Sequence, residues 1–130
     1  MLFNKDILGA LFSSLCLIHC LLLPTLLLVG LGSVSFAMLE NEWVHYGLFA
    51  PILTFVVWSI PSGFKIHHNK LPPIFAAIGL IFFVAGMEAP ENIEIYFTVA
   101  ASSLIIFAHL YNRHLLNSAS CLTYIEAKTQ

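Results

Sequence analysis

Leu15-Cys16-Leu17-Ile18-His19-Cys20-Leu21-Leu22-Leu23-Pro24 sets two thiols and an imidazole in an otherwise apolar run. Helix positions i, i+3 and i+4 share one face, so on a helix Cys16, His19 and Cys20 point the same way. Sulfur and imidazole nitrogen are donors suited to Zn²⁺, Cu⁺ or a heavier thiophilic cation. A histidine among leucines is costly, which makes it a candidate functional residue. Outward from this stretch the apolar run covers 7–31, more than the roughly 20 residues that a helix needs to cross a bilayer.

The rest of the chain has the same character. Of its 130 residues, 59% are hydrophobic and 9% charged, and the mean hydropathy is +0.91. A small soluble domain buries only part of its surface, and its charged fraction is roughly a quarter. The composition is that of an integral membrane protein of one domain, with the lipid bilayer as its partner. Three cysteines, two of them inside the apolar run, describe no disulfide framework. No basic patch points to nucleic acid. A cleaved signal peptide is also disfavoured, because the run exceeds an h-region of about 7–15 residues and no small-x-small site closes it.

Apolar runs predict an all-α fold with four spans, at about 7–31, 43–60, 72–87 and 93–111, followed by a polar tail over 117–130. Pro61-Ser62-Gly63 ends the second span, and Pro72-Pro73 opens the third. Short connections make sequential helices antiparallel neighbours in an up-down bundle. Gly79, Gly86, Ala100, Ala101, Ser102 and Ser103 are expected where helices approach closely. All five basic residues fall on one side: Lys5, Lys65, Lys70, Arg113 and Lys128. The opposite connections carry Glu40, Glu42, Glu88, Glu91 and, at the start of the fourth span, Glu94. The positive-inside bias therefore puts both termini and the middle loop in the cytoplasm.

Helix rise puts Cys16 about 15 Å beyond Asp6, near the midplane if Asp6 marks the inner surface. An imidazole at that depth has no water to bond and needs a partner. Pro24 lacks an N–H and frees the carbonyl of Cys20, as Pro51 does that of Gly47. From outside to inside the candidate donors run His45, then Cys20, His19 and Cys16, then His109, then Cys121. Ligand exchange along such a string would carry a soft metal ion inward. Taken singly, each cysteine is also a small apolar residue, His45 an interfacial histidine, and His67 and His68 solvated loop residues. Two other readings compete with transport. His19 and His109 could be axial ligands of a haem electron carrier, although their depths differ by about 13 Å. The thiol-imidazole set could instead be a structural or sensing metal site. No Ser–His–Asp set, paired carboxylates or phosphate loop suggests an enzyme. Four helices enclose little space, so a homo-oligomer is a further expectation.

The sequence resembles the MerC family of small four-span mercury-resistance membrane proteins. The resemblance is carried by Asp6 to Gly9, by Ser14-Leu15-Cys16 through Cys20 and Pro24, by His45, and by His109-Leu110-Tyr111-Asn112-Arg113. It implies an inner-membrane protein that takes up Hg²⁺ through a cysteine pair in its first span, here Cys16 and Cys20. Some members also have a cytoplasmic cysteine pair near the C-terminus, where this chain has Cys121 alone. The inserted His19 gives the site a donor that tetrahedral Zn²⁺ would use and two-coordinate Hg²⁺ would not require.

Overall fold

In hydrocarbon every backbone N–H and C=O must be satisfied within the spanning segment, and this chain does so with helices. A computed structural model describes residues 2–28 and 42–129. They form α1 (Leu2–Leu28), α2 (Glu42–His67), α3 (Leu71–Met87) and α4 (Glu91–Thr129), with no strand among the described residues. Residues 29–31, the end of the expected first span, lie outside the described residues.

Pairs across the interfaces fix the directions. Asp6 meets His109 and Asn112 while Cys16 meets Ser102, so α1 and α4 run antiparallel. Asp6 bonds Ser59 and Phe12 stacks on Phe55, so α1 and α2 are antiparallel as well. Phe75 packs edge-on against Phe107 while Gly86 lies against Thr98, which orients α3 against α4 in the same way. The result is an up-down four-helix bundle whose helix faces are inverted relative to a soluble protein. Leu11, Leu15, Ile18, Val57 and Ile81 are exposed, whereas Asp6, Ser13, Ser59, Ser102, His109 and Asn112 are buried to within 1%. Polar atoms inside and leucines outside are what a bilayer solvent selects. Three helices carry windows long and apolar enough to cross a membrane: Lys5–Leu22, Tyr46–His67 and Asn92–Cys121. The shorter α3, 17 residues or about 25 Å, is apolar throughout.

Two helices outrun their expected ends. α2 contains Pro61 and continues to His67. A proline removes one intrahelical bond, and where a bilayer offers no water the remaining bonds favour continuing the helix. α4 carries on through the polar tail to Thr129. Of the small residues expected at contacts, Gly79 fits against Ile105 and Ala101, and Gly86 against Phe97 and Thr98. Ser103 instead faces outward and donates to the carbonyl of Val99 at 2.8 Å.

The α2–α3 connection is three residues long and tightly built. His68 adopts φ 53°, the left-handed conformation that closes many helix ends, and its N–H reaches the carbonyl of Phe64 at 2.9 Å. The Asn69 side chain then accepts the N–H of Leu71 at 2.9 Å, starting α3. A Cβ in this conformation costs about 1 kcal/mol, partly offset in a glycine by about 0.5 kcal/mol of unfolded-chain freedom. His68→Gly is therefore expected to raise the unfolding midpoint slightly in detergent, and a lowered midpoint would refute that accounting.

Candidate metal centre

A stripe at alternating three- and four-residue spacing runs down α1: Asp6, Gly9, Ser13, Cys16 and Cys20, every one buried. The matching stripe of α4 is Asn112, His109, Ile105, Ser102 and Thr98, also buried. Laid antiparallel, the two make a largely polar seam through the bundle. Such spacing keeps one face of a helix on its partner for several turns.

Near the middle of this seam sit the thiols. Cys16 is fully buried and Cys20 is 7% exposed, both unoxidised, among Ile52, Val56, Phe83, Ala101 and Ile105. The Cys16 thiol lies beside that of Cys20 and beside the Ser102 hydroxyl. Residues four apart on a helix have Cβ atoms about 6 Å apart, so two sulfurs can close on one ion from the same side.

At the other end of the seam is a network centred on Asp6. Its carboxylate accepts from Ser59 Oγ at 2.8 Å, from His109 Nδ1 at 3.0 Å, and from Asn112 Nδ2 at 3.1 and 2.9 Å, one bond to each oxygen. Asn112 Oδ1 in turn lies 2.9 Å from His67 Nε2, and His67 Nδ1 accepts the N–H of Asn69 at 3.0 Å. The chain of roles is self-consistent. An accepting Nδ1 makes His67 a neutral ring that donates from Nε2, which fixes the Asn112 oxygen as acceptor and its nitrogen as donor to Asp6. With Ser59 and Asn112 both donating to the Asp6 side chain, His109 completes the set by donating through Nδ1–H. Two glycines make room for this. A Cβ on Gly9 would collide with the His109 ring at Nε2, and one on Gly63 with the Asn112 amide. Lys5 leaves the network alone, its Nζ seated 3.8 Å over the Trp58 ring.

The expected donors are distributed unevenly. Cys16 and Cys20 come together. His19 is half-buried at the rim of the same helix, and among the described residues no three Cys, His, Asp or Glu side chains converge as a metal-holding group. His109 stands at the Asp6 end, below the thiols. His45 lies in the first turns of α2, and its side chain falls outside the described residues. Cys121 and His68 are exposed, while half-buried His67 belongs to the Asp6 network. The Asp6 side chain is 1% exposed and turned into the core. Sequence reasoning missed Asp6, Ser59, Asn112 and the role of His67. The available signal was the only aspartate of the chain, at the basic end and in register with Ser13, Cys16 and Cys20.

The family model described as MerC mercury resistance protein matches residues 6–114, from the buried aspartate past the asparagine that binds it. This chain belongs to the MerC family. Among curated proteins and among solved structures there is no match. MerC membership, together with three helices able to cross a bilayer, makes this a multi-pass membrane protein of mercury resistance with a soft metal ion as its substrate class. The matched range contains both buried cysteines and excludes Cys121.

Proposed function

We propose that this protein carries Hg²⁺, or a similarly thiophilic ion, inward across the inner membrane by exchange at the Cys16–Cys20 pair. The observation that carries the reading is the placement of two free thiols side by side in the bundle core, the only cysteines among the described residues so paired. Soft thiolates select soft ions. Two such donors suffice for an ion that prefers two ligands, whereas a structural Zn²⁺ site needs four. His19, half-buried beside the pair, and His45, near the opposite end of the bundle from Asp6, would be entry-side donors. The termini and the α2–α3 loop lie in the cytoplasm on this reading, in keeping with the basic residues at that end.

Equilibrium dialysis tests it. Purified protein dialysed with Hg²⁺ against an excess of a competing monothiol is expected to retain about one ion per chain, because a pair gains from effective concentration what a single thiol cannot. Cys16→Ser and Cys20→Ser should each lose that ion and Cys121→Ser should keep it. Equal retention by wild type and the double serine variant would sink the proposal.

A further inference from the structure

The thiol pair cannot bind a cation as thiols. Thiolates are the ligands, and binding releases protons. In a core flanked by lipid those protons need acceptors, and the seam supplies a candidate one. His109 is wholly buried, its Nδ1–H is given to Asp6, and its Nε2 has no hydrogen-bond partner among the described residues. A neutral imidazole held by a carboxylate at one nitrogen presents a basic lone pair at the other, the arrangement that makes histidine a proton acceptor in hydrolases. The Nε2 edge of the ring lies against Gly9, about 6 Å or one helical turn from Ser13, which is itself about 4.5 Å along the axis from Cys16. The Ser13 hydroxyl is fully buried and likewise has no hydrogen-bond partner among the described residues, and Ser102 stands next to the Cys16 thiol. The Ser102 hydroxyl also has no hydrogen-bond partner among the described residues, so the two serines lie along the seam between the thiols and the ring without a hydrogen bond joining them to it.

We propose that Asp6 and His109 form a proton-accepting dyad for the thiol pair, a role that rests on the thiol-exchange reading above. When M²⁺ replaces the two thiol protons, giving M(SR)₂ and two H⁺, one proton is taken up at His109 Nε2. The other leaves the protein. His109 becomes an imidazolium facing the Asp6 carboxylate, so the core gains no unmatched charge. When the cation passes on, the imidazolium returns its proton to one thiolate and a second proton from solution neutralises the other. The groups that face the dyad are few. α1 contributes Asp6 itself, with Lys5 turned to Trp58; α2 contributes Ser59 and, through Asn112, the neutral His67; α3 has no titratable side chain; on α4 Arg113 follows Asn112.

The test is a proton count. Full-length protein with Cys121→Ser, in weakly buffered detergent near neutral pH, receives one equivalent of Hg²⁺ with a pH indicator present. The same variant with His109→Gln is expected to release about one proton more per bound ion than its parent, because the dyad no longer retains one. Equal release by the two overturns the dyad. Should the glutamine variant not fold, ¹⁵N spectra of the histidine rings decide with the parent alone: the His109 ring passes from the Nδ1–H tautomer to imidazolium as Hg²⁺ is added, and an unchanged ring overturns the proposal. A parent protein that binds no Hg²⁺ refutes the thiol reading, and the dyad with it.

Discussion

Asp6→Ala is expected to destabilise the bundle by about 3–5 kcal/mol, the range for removing one partner of a buried, fully bonded charge. The reason is what it leaves behind. Ser59 Oγ, His109 Nδ1–H and the Asn112 amide all aim at the carboxylate, and Ser59, His109 and Asn112 are all essentially fully buried. Each donor left unmet in a core without water costs about 1–3 kcal/mol. Stabilities of whole domains are about 5–15 kcal/mol, so a loss of this size removes much of the total. Asp6→Asn should be far milder. Its side-chain oxygen, in the place of Oδ1, still accepts from Ser59, His109 and Asn112, and only the second Asn112 contact, at Oδ2, is lost. Thermal unfolding in detergent, followed by circular dichroism, separates the variants. An alanine variant within about 1 kcal/mol of wild type would mean that the network contributes nothing net, as replaced buried ion pairs sometimes show.

Uptake of labelled Hg²⁺ by cells is expected to fall to the level of cells lacking the protein when either Cys16 or Cys20 becomes serine, and to persist at a substantial level in His19→Ala. Both sulfurs sit in the same buried space, where Ile52, Val56, Phe83, Ala101 and Ile105 offer no donor atoms and the neighbouring Ser102 offers only a hydroxyl. A serine hydroxyl is a hard ligand that does not ionise, and it is a poor substitute for a soft thiolate. His19 is only half-buried and joins no three-donor group among the described residues, so its loss leaves the pair intact. A background-level His19→Ala, with the cysteine variants still active, would reverse these assignments.

The four helices and their antiparallel order were legible because they depend on hydropathy and loop length, which each segment carries locally. The cysteine pair was legible for the same reason: positions 16 and 20 share a face of one helix wherever that helix packs. The Asp6 network was not, because its members come from positions 6, 59, 67, 109 and 112 and meet only when three helices align. Helix position alone does not say which way the Asp6 side chain turns; that is decided by α4, and by the hollow that Gly9 leaves for His109. The extension of α2 through Pro61 was hidden by a rule learned from water-exposed helices. In the bilayer a helix stops less readily, because the backbone has nothing else to bond.

α4 is the longest element among the described residues. Its 39 residues make about 58 Å of uninterrupted helix, roughly twice the thickness of the hydrocarbon. His109, inside the core, and Cys121, exposed beyond it, ride on the same rod about 18 Å apart. A tilt of α4 by about 10° at the level of His109 would swing Cys121 sideways by about 3 Å, without bending a single peptide. The helix is thus geometrically a lever arm, in which a small change of direction beside Asp6 is a larger displacement at its far end.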